Sequence, residues 1–220
     1  MFRIITLERE YGCGCANIAS ELANRLHWKL WDQSLTEEIA RQAHVDCGTV
    51  ERRAEKIDGA FYRLAKAFWR GSYERSMPLD ERQTFDADCM VKMMEDISAK
   101  IAQEGNAVVV GRGAPYFLRE RDDTFRVFLY APRPEKVRRL VAAGTHPSEA
   151  EDLVDTVDRE RMAFIKHYFN ADWPTRSLYH LMINTVVGNE KVIATILDTM
   201  TLLQSQTPAT QSDMRGVALK

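Results

Sequence analysis

Three places in this sequence carry residue types and spacings suited to holding a phosphate. The first is the turn Arg9-Glu10-Tyr11-Gly12-Cys13-Gly14-Cys15-Ala16-Asn17, set between an apolar run and a helical one. A glycine-rich turn at a helix N-terminus offers backbone N–H groups and a fixed positive potential to an anion. The second is Arg112, flanked by Gly111 and Gly113 just after the run Ala107–Val110. Ligands of open α/β sheets bind at the carboxyl ends of strands, and flanking glycines allow close approach. A surface arginine in a loop is the alternative. The third is Arg159 with Arg161, in a highly charged segment. Arginines offer planar, permanently charged donors to an anion. The same residues also read as a solvated helix face, with Asp155/Arg159 and Asp158/Arg161 pairs. Helical positions two apart do not share a face, so both reach phosphate only if the helix breaks or they grip different groups. Lys166 is a weaker option in this segment.

Against the phosphate-loop pattern G-x-x-x-x-G-K-[ST], the turn is incomplete. Gly14 fits the second glycine, but Arg9 stands at the first. Cys15 replaces the lysine that reaches the phosphates, and Ala16 replaces the hydroxyl that binds magnesium. Arg9 lies inside the turn and is placed to supply the missing cation; a salt bridge to Glu8 or Glu10 is its other reading. Glycines needed only for tight βα packing would explain the turn as well.

The elements that must position these residues follow from hydrophobic period. Short apolar runs at 2–7, 29–31, 107–110, 125–130 and 181–183 read as strands. Helical spacings fall between them, over about 15–26, 134–143, 148–168 and 190–203. Strands alternating with helices predict an α/β fold with a parallel sheet. Residues 34–105 hold no convincing strand; Val91, Met94, Ile97 and Ile101 are among the positions at helical spacing. Ser34-x-x-Glu37 and Ser148-x-x-Glu151 have the form of capping boxes. The polar segment from Gln204 reads as a disordered tail.

Composition narrows the class. The 220 residues suit one domain, and the formal net charge of −2 gives no global basic field for nucleic acid or anionic lipid. No apolar run approaches a membrane span, and residues 1–5 lack a signal-peptide layout, so the chain reads as cytoplasmic. Its four cysteines are then expected reduced. Cys13 and Cys15 form a C-x-C, and the five histidines show no ligand spacing, so no metal site is read from either. Phe61, Phe68, Trp69, Met90, Met93 and Met94 fit a homodimer interface or ordinary core packing equally.

Several motifs in register resemble one known family. Glu8-Arg9-Glu10-Tyr11-Gly12-Cys13-Gly14 resembles the opening of the cytidylate kinase-like family, typically Ser-Arg-Glu-Tyr/Phe-Gly-Ser-Gly-Gly-Arg before an Ile-Ala helix. The family loop itself commonly lacks the usual lysine, yet its Gly-Arg is Cys15-Ala16 here. Trp31-Asp32, Val109-Val110-Gly111-Arg112-Gly113-Ala114, the run from Val127 to Pro132, Asp158-Arg159-Glu160-Arg161, Asp172-Trp173 and Ile183-Asn184-Thr185 are similar to later family segments.

The resemblance implies a three-layer P-loop kinase fold with a five-stranded parallel sheet, a helical acceptor-binding insertion over 34–105 and a lid over 144–176. The core would be 1–33, 106–143 and 177–203. It implies ATP and Mg²⁺ as cofactors, and CMP or dCMP as acceptor. Arg112 would hold the acceptor phosphate, with Arg159 and Arg161 as lid arginines. Arg9 and the turn Gly12, Cys13, Gly14, Cys15, Ala16 and Asn17 would hold the donor phosphates. Asn184 and Thr185 would lie near adenine, and Asp32 and Ser34 near the acceptor. Asp32 and Ser34 also qualify as helix caps, and Trp173 reads best as packing. Two other readings stay open: a nucleotide-binding module without turnover, suggested by Cys15-Ala16, and a kinase of another small molecule.

Overall fold

The structure is a computed structural model of the chain, and it describes residues 1–32 and 87–205. Strand β1 (Ile4–Arg9) is buried along its whole length, as the middle strand of a sheet covered on both faces must be. It pairs in parallel with β3 (Ala107–Val110) on one side and β4 (Thr124–Tyr130) on the other. β2 (Lys29–Trp31) adds outside β3, and β5 (Leu181–Asn184) outside β4. The order is therefore β2-β3-β1-β4-β5, with every described pairing parallel. The expected five-stranded parallel sheet is the one observed.

Side chains alternate across the sheet and build two cores. Ile5, Leu7, Val108, Val110, Val127 and Leu129 face helices α1 (Cys15–Leu26) and α6 (Asn189–Ser205). Ile4, Val109 and Phe128 face the opposite layer. That layer contains α2 (Ala87–Glu104), the short α3 (Ala114–Phe117) and the C-terminal half of α5 (Pro147–Phe169). Helix α4 (Arg133–Ala142) packs on the N-terminal half of α5 through Leu140, Ala150, Val154 and Val157. Trp173 is buried against Phe128, ring centroids 5.4 Å apart, which is the packing role expected of it.

Three expectations shift, and one short helix, α3, was not expected. β1 ends at Arg9 rather than Leu7, so Glu8 and Arg9 belong to the strand. α5 is capped at His146 and starts at Pro147; Ser148 bonds His146 Nδ1 (2.9 Å) instead of closing a capping box. Proline at the first helical position explains the earlier start, because its fixed φ suits a first turn and its missing N–H costs nothing there. α3 follows Gly113 in the left-handed region with Pro115 in its first turn. α6 runs through Ser205, two residues into the segment read as tail. In the insertion, α2 buries Met94, Ile97 and Ile101 as its spacing predicts, while the rest of 34–86, Ser34 included, lies outside the described residues. Among the described residues no helix is long and apolar enough to cross a membrane.

Phe128 is 1% exposed and its ring meets both Trp173 and Tyr179. Phe128→Ala should destabilise the fold by about 3–5 kcal/mol, read from urea unfolding. A loss under about 1 kcal/mol would contradict this core assignment.

Candidate active site

β1 delivers the chain into the turn at the carboxyl edge of the sheet. Gly12 (φ 76°) and Gly14 (φ 81°) take left-handed conformations that residues with a Cβ avoid. A Cβ on Gly12 would also stand 3.2 Å from the Lys136 carbonyl oxygen and Cβ. Gly14 is the N-cap of α1, with no side chain capping the helix and no acidic residue in its first turn. The first amides of any helix lack intrahelical acceptors, so Cys15, Ala16 and Asn17 present N–H groups with the positive end of the helix behind them. Gly14 and Ala16 are half-buried and Asn17 is exposed, which leaves this end open.

The cysteine side chains turn the other way. Cys13 and Cys15 are buried at 1% and 4% exposure in the core beneath α1. Burial pushes the Cys13 thiol up to about 12 and the Cys15 thiol well above its ordinary value. The side chain in the lysine's place is thus a packing group, and the turn contributes backbone alone there.

The turn is gripped by its carbonyls. Thr185 Oγ1 donates to Cys13 O (2.7 Å), and Arg139 Nη1 donates to the same oxygen. Arg139 Nη1 also donates to Thr185 Oγ1 (2.8 Å), joining α4, the turn and the end of β5. On the other flank, Arg161 Nη1 donates to Arg9 O (2.8 Å). Tyr11 N–H donates to Asp158 Oδ1 (2.8 Å), and Lys136 Nζ bridges Asp158 Oδ2 (3.1 Å) and Glu10 Oε2 (2.9 Å).

Cations converge here. Arg9, Arg112 and Arg161 are buried at 4%, 6% and 9% exposure. Burial lowers Arg112 to about 10, with Asp32 opposing and the Arg9 charge adding to the drop. Burial and then Arg9 lower Arg161, with Asp158 and Glu8 opposing. Burial disfavours the Arg9 charge, yet Arg9 stays raised because the carboxylates of Glu8 and Asp32 lie in its field; its Nη1 is 3.7 Å from Glu8 Oε1. Gly111 lies directly against the Arg9 guanidinium, and any Cβ there would collide with it. Arg112 itself sits at φ 57° between two left-handed glycines. Crowded, desolvated cations gain most from an arriving anion.

The structure sorts the expected residues. Arg9, Arg112, Arg161 and the buried Asp32 come together at the turn. Arg159 does not: it is exposed, on a different face of an unbroken α5, within the field of Asp155. Lys166 is exposed and pairs with Asp172 at 3.1 Å. Thr185 is buried as a clamp on the turn, and Asn184 accepts from Val186 N–H (3.1 Å) to cap the next turn. Ser34 lies outside the described residues. Sequence reasoning missed Lys136 and Arg139 in α4 and the contact of Asp158 with the turn. Lys136 shares the buried face of Leu140 four residues on, and in the sequence both it and Arg139 read as polar helix positions that solvation explains equally.

Among the described residues the donor set suits an anion such as a polyphosphate and does not fit a magnesium ion held by side chains. Ala16 brings no oxygen where a hydroxyl is needed, and the Asp32 carboxylate lies in the field of Arg9 and Arg112. Among the described residues no cluster of three His, Cys, Asp or Glu side chains could hold a metal.

A central parallel sheet with a glycine turn into a helix, ringed by arginines at its carboxyl edge, defines the P-loop kinase fold. Solved structures agree on that fold. An uncharacterized protein from Eubacterium ventriosum ATCC 27560 superposes with TM-score 0.64 at 20% identity, over 92% of this chain and 99% of that one. Shikimate kinase from Acinetobacter baumannii, in complex with shikimate, gives 0.51 at 16%, over 94% and 97%. The chain belongs to the cytidylate kinase-like family, whose model matches residues 4–186. Curated relatives are cytidylate kinases from Methanosarcina barkeri (strain Fusaro / DSM 804) and Methanosarcina mazei (strain ATCC BAA-159 / DSM 3647 / Goe1 / Go1 / JCM 11833 / OCM 88). The first is 27% identical over 92 residues, 41% of this chain and about half (51%) of the relative. The second is 26% identical over 142 residues, 62% of this chain and 79% of the relative.

The thiol environment makes a direct prediction. With the Cys13 thiol raised to about 12, thiolate is scarce at pH 8 and the side chain is buried. In native protein at pH 8 the peptide bearing Cys13 and Cys15 should take up almost no iodoacetamide by mass spectrometry, and should label fully in denaturant. Native labelling as fast as denatured labelling would show that these thiols face solvent.

Proposed function

We propose that this protein transfers the γ-phosphoryl group of ATP to a nucleoside monophosphate, with CMP or dCMP the first acceptors to try. The observation that carries this reading is the convergence of Arg9, Arg112 and Arg161, all buried, on a left-handed glycine turn in a chain of the cytidylate kinase-like family. Phosphoryl transfer needs little covalent help; it needs alignment of donor and acceptor with positive charge around the moving group.

The roles follow from position. The amides of Gly14, Cys15, Ala16 and Asn17 hold the donor phosphates, and Arg9 supplies the cation absent at Cys15. Arg112, projected by the Gly111–Gly113 turn beside Asp32, holds the acceptor phosphate. Arg161, rather than Arg159, faces the transferring group from the lid helix. Magnesium would belong to the Mg-ATP substrate rather than to the described side chains, and the chemistry it would supply is further charge neutralisation. Adenine lies toward Asn184 and Thr185, at the end of β5.

A second reading, nucleotide binding without turnover, is favoured by one specific observation. The Cys15 side chain is packed in the core and Ala16 has no hydroxyl, so two usual catalytic contacts are missing.

ADP release from Mg-ATP, measured with CMP, dCMP, UMP, AMP, GMP and no acceptor, separates the readings. Release that depends on CMP or dCMP supports the kinase, and ATP binding with no release above blank supports the module. In an active enzyme, Arg112→Ala and Arg161→Ala should each lower kcat/KM by about 10²–10³-fold, while Arg159→Ala stays within about twofold. Equal losses at Arg159 and Arg161 would refute the assignment of Arg161. Arg9→Ala should weaken ATP binding by at least about tenfold, and unchanged affinity would remove Arg9 from the phosphate site.

A further inference from the structure

One carboxylate near the turn faces the wrong way for electrostatics alone. Asp158 places a negative charge beside a site meant for phosphate. Its side chain is 14% exposed, so water does little to screen it. Three donors hold it there: Tyr11 N–H on Oδ1 (2.8 Å), Arg161 Nη1 on Oδ1 (3.2 Å) and Lys136 Nζ on Oδ2 (3.1 Å). Each comes from a different element: the phosphate turn, α5 and α4. Lys136 carries the link on to Glu10 in the turn (2.9 Å).

The spacing on α5 gives this arrangement its consequence. Asp158 and Arg161 are three residues apart, so they share one helix face. Fixing Asp158 on the Tyr11 amide fixes the rotation of that face. The same Arg161 Nη1 that meets Asp158 also meets Arg9 O (2.8 Å), at the far side of Glu10 and Tyr11. Helix and turn are thereby joined at two backbone points, Arg9 O and Tyr11 N, through one acid and one arginine. A group that only bound phosphate would not be an acid, and a group that only stabilised α5 would not need a turn amide.

We infer that Asp158 is a positioning residue, which holds Arg161 and the phosphate turn in one geometry without touching substrate. This rests on the reading of the turn as a nucleotide phosphate site. Asp158 acts through Arg161, so its removal costs nucleotide affinity only while Arg161 is present.

The test is a double-mutant cycle on ATP affinity by calorimetry, with circular dichroism as the folding check. Asp158→Ala should weaken ATP binding about 10- to 100-fold, and Asp158→Asn, which keeps an acceptor for Tyr11 N–H, should weaken it less. Asp158→Ala added to Arg161→Ala should cost no more than Arg161→Ala alone. Additive losses, or unchanged affinity in Asp158→Ala, overturn the inference. If Asp158→Ala fails to fold, Asp158→Asn with and without Arg161→Ala carries the same cycle. Hydrogen exchange at the Tyr11 amide, measured without nucleotide, separates this inference from the kinase reading. Should the wild-type protein bind no ATP, the nucleotide site falls. Exchange at Tyr11 at least about tenfold faster in Asp158→Ala, with Asp158→Asn between it and the wild type, would still support the docking of α5, and unchanged exchange in Asp158→Ala would overturn it.

Discussion

Burying several guanidinium groups in one place is the constraint on which this structure turns. Each cation taken from water loses solvation, and like charges nearby add to the loss. The fold answers with carboxylates at short range: Glu8 beside Arg9, Asp32 in the field of Arg9 and Arg112, and Asp158 on Arg161 and Lys136. The balance is incomplete by design of the chain, because Arg112 and Arg161 remain below their ordinary values. Buried ion pairs seldom stabilise a fold over apolar packing. Their concentration at the carboxyl edge of one sheet is not explained by stability, and the proposed phosphate site would account for it.

Everything else serves to hold that edge still. β1 is clasped by β3 and β4 and buried on both faces, so Glu8 and Arg9 emerge from a fixed rail. Val109 and Val110 carry the chain to Gly111, and the left-handed backbone there aims Arg112 back toward Arg9 and Asp32. α5 buries Val154, Val157, Phe164 and Ile165, and that packed stripe also brings Arg161 inward. Arg159 lies two positions away, about 200° around a helix, and the same packing that buries one arginine exposes the other. An unbroken helix decides between two residues that sequence treats alike.

The architecture was legible because strands buried on both faces are continuous apolar runs. Ala107–Val110 falls where such a run predicts, the edge strand Lys29–Trp31 lies at its expected place with Lys29 exposed, and all described pairings are parallel as βα alternation requires. Arg112 was legible too, since Gly-Arg-Gly after such a run leaves little ambiguity about position. The capping box at Ser148 misled because proline at 147 starts the helix first. Lys136 and Arg139 stayed hidden for a plainer reason. Their partners Glu10, Asp158, Cys13 and Thr185 lie on other elements, and no local pattern encodes that meeting.

The incomplete phosphate loop looks different once the folded site is considered whole. The lysine of the usual pattern reaches the phosphates, whereas Cys15 projects into the core and helps seat α1 on β1 and β3. On the proposed reading the cation lies at the turn's beginning, where Arg9 ends β1, and on α5, where Arg161 donates to Arg9 O. A lysine is a mobile point charge, whereas these arginines are rigid planar groups fixed by packing and by backbone contacts. Such a site gives up reach and gains preorganisation. Its geometry therefore depends on how firmly two helices hold one turn, so that on the proposed reading Lys136, Arg139 and Asp158 bear on phosphate binding through the turn and Arg161 rather than by contact.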